Sequence, residues 1–359
     1  MTRPPTQKPQ VPTSPFDTKA TLGDVGQWDL LNALLQFTKP AAGGPLARMD
    51  DIMHLPFVTD AAGRQLFLKI DTFVQSTDMP PQMSHYQAGK KAVTAVISDL
   101  GAKGIRPSGI GASLCFPRGI FANDAVKVVE GISDACQHYG CGYFGGDLNE
   151  GLEIVITPVA VGMADPKKVP GRGGARPGDV LCVSDRLGRT AAGLEILLKG
   201  KDCPPNVREI LKNAVFAPET PLEQGIVLAE NNLVTAAIDS SDGIAFSIAQ
   251  LATESKCGIE VAVDALPIAP EVAEYAPESI QQVELALYGG EEYCYLWTIP
   301  KSKLAHVKTL CKERAWQLFE IGKVTQGSEI VLKTKRGEAS PLKTRGFTHF
   351  AGEAPSSRL

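Results

Sequence analysis

The sequence predicts a two-domain protein of the α/β (α+β) class. Three observations point there. A length of 359 residues suits about two domains. Strand-like apolar runs alternate with amphipathic helical stretches. A glycine-dense stretch from Gly171 to Asp179, followed by the strand-like run VLCVSD, divides that alternation in two.

Residues 1–20 carry prolines at 4, 5, 9, 12 and 15 among Thr, Ser, Lys and Gln, with no apolar period, so a disordered tail is expected. A short amphipathic segment from Trp28 to Leu35 follows, ended by a Pro/Gly stretch at 40–45. The first half, 21–168, then reads as strand LFLKIDTFV (66–74), helix 88–104 closed by Gly101 or Gly104, and strand GIGASLCF (109–116). Helix 123–139 and strands GCGYFGG (140–146) and LEIVITPVAVG (152–162) complete it. The second half, 169–355, opens with strand VLCVSD (180–185), helices 190–199 and 222–232, strand LVTAAID (233–239) and helix 244–255. It continues with strand GIEVAVD (258–264), a helix, a glycine turn, strand YCYLWTI (293–299), helix 301–314 and closing strands.

Composition narrows the function classes. A hydrophobic share of 43% is enough for a sizeable core, and a net charge of −4 with scattered basic residues argues against a nucleic-acid surface. No apolar run approaches the roughly 20 residues that cross a bilayer, and the N-terminus lacks a signal-peptide core. No membrane partner is expected, and a cytoplasmic location is. The eight cysteines lack paired spacing and several lie in apolar runs, which reads as buried free thiols. The cluster Cys136-Gln137-His138-Tyr139-Gly140-Cys141 has soft ligands but no second half to complete a zinc site.

The chemistry is concentrated in short acidic motifs: Asp50-Asp51, Asp71 in LKIDTF, Asp99 in VISDLGAKG, Asp147 in YFGGDLNEG, and Asp239 with Asp242 in AIDSSDG. Each sits beside a strand-like run or a glycine turn, where α/β proteins build sites. Clustered carboxylates repel unless cations neutralise them, and oxygen ligands without His or Cys suit Mg²⁺ rather than Zn²⁺. No G-x-x-x-x-G-K-[ST] loop occurs, so a nucleotide would be held by metals and turns. Asp239 and Asp242 could also cap the helix that starts near Ile244.

Read in order, the motifs resemble those of the thiamine-monophosphate kinase family, within the superfamily of aminoimidazole ribonucleotide synthetase. Gly26-Gln27-Trp28-Asp29-Leu30-Leu31 is similar to its opening G-E-F-x-L-I, Asp50-Asp51 to G-D-D, and Asp71-Thr72 to the T-D-x-[LF]-V strand. Ser98-Asp99-Leu100 with Gly104 and Pro107 resembles S-D-L-A-A-M-G-A-x-P, and Gly145-Gly146-Asp147 resembles G-G-D-T. Arg172 to Asp179 resembles R-S-G-A-K-P-G-D, Ile238 to Gly243 resembles I-D-x-S-D-G, Gly289 to Tyr293 resembles G-G-E-D-Y, and Gly346 to Phe350 resembles G-[YW]-x-H-F. The resemblance runs from about Gly26 to Phe350.

It implies a two-domain aminoimidazole ribonucleotide synthetase-like fold: an N-terminal metal- and ATP-binding α/β domain that forms a β-barrel across a homodimer, and a C-terminal α/β domain. It implies transfer of a phosphoryl group from ATP to thiamine monophosphate. The implied metal ligands are Asp50, Asp51, Asp71, Asp99, Asp147, Asp239 and Asp242, with Asp50, Asp51, Asp147 and Asp242 at the reacting phosphates. Gly145, Gly146, Asp147, Arg172, Ser241 and Asp242 would contact the nucleotide. Thr72, Asp78, Glu291, Glu292 and Phe347 would border the acceptor, with His349 a further candidate contact.

Several positions depart from the family pattern. Asp78 stands for a His, Ile70 for a Thr before Asp71, Leu148-Asn149 for Thr-Thr, and Ser247 for an Asp. Pro218-Glu219-Thr220-Pro221 lacks the Arg of P-x-P-R, and the glycine turn reads G-G-E-E-Y-C-Y. The acids are kept while polar neighbours drift. A diverged acceptor pocket is therefore expected, and a paralogous kinase for another small heterocyclic alcohol or phosphomonoester, or a non-catalytic ATP-binding scaffold, stays open. A selenophosphate synthetase would need a Cys in its early glycine-rich segment, whereas the first here is Cys115. A carbamoyl-dehydrating hydrogenase maturation protein would end in Cys, whereas this chain ends Ser-Ser-Arg-Leu.

Overall fold

A computed structural model describes residues 16–17, 19–35, 45–46 and 50–350. The expectations for 1–15 and 40–44 lie outside the described residues. Two mixed sheets, each with its own helices, meet along a cleft.

The first half holds helices α1 (Leu22–Val25) and α2 (Gln27–Leu35), then strands β1 (Met53–Thr59), β2 (Gln65–Ile70) and β3 (Phe73–Val74). Helices α3 (Gln75–Asp78) and α4 (His85–Ala102), strand β4 (Pro107–Phe116), helix α5 (Ala122–His138), and strands β5 (Gly142–Glu150) and β6 (Val155–Ala164) complete it. The sheet runs β1-β2-β6-β4-β5, with β3 also pairing β6 and only β4–β5 parallel. LFLKIDTFV is not one strand. The ladder breaks at Asp71-Thr72, which lifts both side chains out of the sheet toward the cleft.

Helices α4 and α5 cover one face of this sheet. Along β6, Ile156 and Ala160 turn into the core with Phe67, Ile97, Ile110 and Ile132, as the period of two requires. Fully burying each such side chain contributes about 1.5–3 kcal/mol. The opposite face has no helix among the described residues and carries Met53, Phe57, Ile70 and Phe144, the last 78% exposed.

The second half holds β7 (Val180–Val183), α6 (Arg189–Lys199), α7 (Pro205–Phe216), α8 (Leu222–Glu230), β8 (Ala236–Asp239) and α9 (Ile244–Ser255). After these come β9 (Gly258–Ala262), α10 (Pro270–Tyr275), α11 (Ser279–Tyr288), β10 (Tyr295–Ile299), α12 (Lys301–Glu313), and β11 (Phe319–Thr325), β12 (Ile330–Lys333) and β13 (Ala339–Pro341). The sheet order is β13-β12-β9-β11-β7-β10-β8. Strand β1 and helix α7 are additions to the sequence reading, although Pro205 at the start of α7 and buried Val207, Leu211 and Val215 at four-residue spacing carry a helical signature.

Helix α4 joins the halves. Its start is fixed by a capping box: Ser84 Oγ accepts from the Gln87 N–H at 3.2 Å, and Gln87 Oε1 accepts from the Ser84 N–H at 2.8 Å. Its far end lies against α8 and β10 because Gly101 leaves no side chain in the way. A Cβ there would sit 1.9 Å from the Tyr295 hydroxyl oxygen, and one on Gly225 would sit 2.1 Å from the Gly101 carbonyl oxygen. This approach carries Ser98, Asp99 and Lys103 of the first half to β8 of the second.

Candidate active site

Four-residue spacing along α4 places Lys91, Ala95, Asp99 and Lys103 in one stripe. Lys91, Ala95 and Asp99 border a cleft of about 840 Å³ between the halves, and Lys103 lies buried behind it. Asp71 and Thr72 enter from the β2–β3 break, Asp50 and Asp51 from the segment before β1, and Asp239, Ser241 and Asp242 from the end of β8. Ser98 Oγ donates to Asp239 Oδ2 at 2.8 Å, tying α4 to β8. Gly243, at φ 108°, takes the N-cap position of α9 and makes no side-chain cap, so Asp242 faces the cleft rather than capping the helix as the sequence had suggested.

Asp51, Asp99 and Asp239 converge most closely, each with an oxygen within 4.8 Å of the others. Burial pushes Asp239 up to about 7, with Asp51 adding to it. Burial and the neighbouring Asp239 and Asp51 push Asp99 well above the carboxylate range, against the pull of Lys69. Burial also raises Asp242, to about 6. Burial acts on Asp51 in the same direction, but Arg172 and Lys103 overcome it and hold that carboxyl well below its usual range. Among the described residues, six carboxylates thus share three side-chain cations, Lys69, Lys103 and Arg172, which leaves that group short of positive charge. Hard oxygen donors at this separation fit a divalent cation such as Mg²⁺.

The other assigned residues divide by location. Thr72, Asp78, Glu291, Phe347, Arg172 and Ser241 border the cleft. The Asp78 carboxylate accepts from the Val74 N–H at 2.6 Å, and its carbonyl accepts from Lys91, which also pairs with Glu291 at 2.5 Å. Glu291 at φ 62° and Tyr293 at φ 48° hold a turn that non-glycine residues rarely adopt. Asp50 sits behind Asp51 with no exposed side-chain surface. Its Oδ1 accepts from Lys103 at 2.7 Å and the Asp51 N–H at 2.8 Å, and its Oδ2 from the Arg172 N–H at 3.1 Å, contacts that tie it to Lys103 and to the Arg172 backbone.

Two assignments are displaced. Glu292 turns away from the cleft and accepts the Gly188 N–H at 2.8 Å at the start of α6, where burial pushes it up to about 7. Gly145, Gly146 and Asp147 lie on the edge strand β5. Asp147 pairs in register with Ser113, Ser113 with Thr157, and the Thr157 hydroxyl meets the Thr72 hydroxyl at 3.3 Å. Three strand spacings therefore separate Asp147 from Thr72, about 14 Å. Within one chain Asp147 does not share a metal with Asp71.

The sequence reading missed Lys69, Lys91 and Lys103. It also missed the closure of one cleft end, where Trp28 and Phe246 lie 5.5 Å apart and the His349 N–H donates to Gln27 Oε1 at 2.7 Å. Lys69 lies two residues before Asp71 and Lys103 four after Asp99, spacings equally common on solvated faces, so no local signal in the sequence marks either as a site cation. The eight cysteines are free as expected, and the metal-competent group found among the described residues is made of carboxylates.

With its cleft between two α/β halves, floored by buried carboxylates, the chain belongs to the AIR synthase related proteins. The N-terminal domain profile of that family matches residues 50–164 and the C-terminal domain profile residues 176–335. Within it, the chain belongs to the thiamine-monophosphate kinase family of phosphotransferases. It is 34% identical over 294 residues to the thiamine-monophosphate kinase of Nitrosopumilus maritimus, covering 80% of this chain and 90% of that protein. It is 32% identical over 287 residues to the Pyrococcus horikoshii enzyme of the same name, covering 80% and 87%. Among solved structures, tt0281 from Thermus thermophilus superposes with a TM-score of 0.80 at 31% identity, covering 89% of this chain and all of that one. AaThiL complexed with AMPPCP and TMP superposes with a TM-score of 0.79 at 25% identity, covering 93% of this chain and all of that one. No helix among the described residues is long and apolar enough to cross a membrane.

Proposed function

We propose that the chain transfers the γ-phosphoryl group of ATP to the phosphate of thiamine monophosphate, giving thiamine diphosphate, in a Mg²⁺-dependent reaction in the cytoplasm. The convergence of Asp51, Asp99 and Asp239 within 4.8 Å at the floor of the cleft carries this reading. Mg²⁺ held by these oxygens would screen the repulsion between two phosphates. The chain's own residues bind, orient and exclude water. Arg172 is aimed by Asp51 and by Gln250, whose Oε1 accepts from it at 3.2 Å. Lys91, 2% exposed, places an ammonium at the cleft wall, and Trp28, Phe246 and Phe347 offer ring faces to a heterocycle. The acceptor nucleophile is an ionised phosphate oxygen, so no general base is required.

Of the departures from the family pattern named above, Asp78 and Ser247 border this cleft, whereas Glu292, which stands for the Asp of G-G-E-D-Y, turns away from it. Leu148, Asn149 and Pro221 do not border it either. The name shared by the relatives, thiamine-monophosphate kinase, favours thiamine monophosphate over a different acceptor. The test is transfer from γ-labelled ATP with thiamine monophosphate, thiamine, and a panel of small phosphomonoesters and alcohols. Label in thiamine diphosphate is expected. Label only in another product, or none despite nucleotide binding, would overturn the assignment.

The acting unit in this reading is a homodimer closed through the open face of the N-terminal sheet. Met53, Phe57, Ile70 and Phe144 are exposed on that face, an apolar surface that supports association with a second copy. Asp147 lies on the same face as Ser113 and Thr157, so it would serve the partner's cleft.

A further inference from the structure

Lys103 and Lys69 both neutralise the acidic cluster, but their surroundings differ. The Lys103 ammonium is completely buried, with Asp50 Oδ1 at 2.7 Å, Asp51 Oδ2 at 3.2 Å and the Ala237 carbonyl oxygen at 2.7 Å. Three oxygens meet its three protons, so it is a permanent fixture. Lys69 borders the cleft with its side chain 17% exposed, and its contacts are Asp99 Oδ2 at 2.6 Å and, more distantly, Asp71 Oδ2 at 3.9 Å. Asp99 is itself one of the three convergent carboxylates.

A divalent ion taken up by Asp51, Asp99 and Asp239 would need an Asp99 oxygen at about 2.0–2.6 Å. That would crowd it against an ammonium on the same carboxylate, and two cations this close repel strongly at the effective dielectric of a protein cleft. We propose that Lys69 is the metal site's own exchangeable counter-ion, a positioning residue that holds Asp99 and Asp71 in the ligand-free chain and competes with the divalent ion for Asp99. Once the ion holds Asp99, the freed ammonium remains at the cleft wall, beside the space the phosphates would fill. Lys69 thereby sets the metal affinity low while keeping the carboxylates in place.

The inference rests on the reading of this cleft as a divalent-metal site, and the experiment separates the two. Mn²⁺ binding to the full chain is measured by electron paramagnetic resonance of free ion, without nucleotide or acceptor, at about 0.5 M KCl, where the Debye length is only about 4 Å. Lys69→Met is expected to bind Mn²⁺ about tenfold or more tightly than wild type, and Lys69→Arg to stay within about threefold, because direct competition survives screening. The melting temperature of Lys69→Met should fall in EDTA and recover with saturating Mn²⁺ more fully than that of wild type. Lys69→Gln is the second variant if Lys69→Met does not fold. A change within about threefold for the uncharged variants, or weaker binding, overturns the competition. So does failure of both to fold even with saturating Mn²⁺, which would make Lys69 purely structural. A wild-type chain that binds no Mn²⁺ would instead overturn the metal-site reading itself.

Discussion

Replacing Lys103 by Met tests how the halves are joined behind the cleft. The apolar stem keeps its volume, while the charge held by Asp50, Asp51 and the Ala237 carbonyl is removed. Asp51 retains the Arg172 guanidinium, but Asp50, whose side chain has no exposed surface, loses the one ammonium that pairs with it among the described residues. Removing one member of a buried ion pair costs about 3–5 kcal/mol, because the other charge is left without compensation. At about 2–4 °C per kcal/mol for a domain of this size, the melting temperature should fall by roughly 6–20 °C. Urea and thermal unfolding of wild type, Lys103→Met, Asp50→Asn and the double variant form a cycle. The double variant is expected to recover at least half of the loss, since both charges are then gone. A Lys103→Met chain within about 1 kcal/mol of wild type, or a double variant no more stable than Lys103→Met, would refute the argument.

Three further outcomes are expected. Burial lifts Glu292 from 4.5 to about 7 in the folded chain, so the native state binds its proton more tightly and stability falls as pH rises through that window. Glu292→Gln should flatten the stability curve there, leaving pH 4 unchanged and adding about 3 kcal/mol at pH 8, and an equal effect at both pH values would contradict this. Phe57→Asp, on the open apolar face at 80% exposure, should turn a dimer into a folded monomer by light scattering, and a wild-type chain that is already monomeric would remove the barrel from the proposal. Asp147→Asn and Asp99→Asn should each be nearly inactive alone. Equal mixtures after subunit exchange should regain about a quarter of wild-type turnover if Asp147 serves the partner's cleft, and none if it acts within its own chain.

The parts of this fold that were legible in sequence are those where local chemistry and tertiary role coincide. Helix α9 was read at Ile244–Ser255 because its apolar period agrees with its final burial, and α4 was read to within a few residues. Strand β1 was not anticipated: Pro56 sits inside it, and its apolar Phe57 points away from its own domain's core. The break at Asp71-Thr72 was hidden for a related reason. LFLKIDTFV has an unbroken strand composition, and the interruption depends on β6 pairing first with β2 and then with β3.

The candidate site shows the same division at the level of charge. An aspartate next to a glycine turn or a strand end stands out because an isolated carboxylate there would be costly to bury, so Asp51, Asp99 and Asp239 could be read from their local setting. The cations that hold them have no such local signature. Lys103, four residues beyond Asp99, is indistinguishable in sequence from a lysine on a solvated helix face. It becomes a buried clamp only because Gly101 and Gly225 let α4 close onto α8 and β10, which brings the Ala237 carbonyl within 2.7 Å. Lys69 is likewise an ordinary strand lysine until the packing of α4 on its own sheet brings Asp99 to 2.6 Å from it. The acids mark where a site is built, while the close approach that Gly101 and Gly225 permit decides that Asp50 and Asp51 already carry a buried counter-charge.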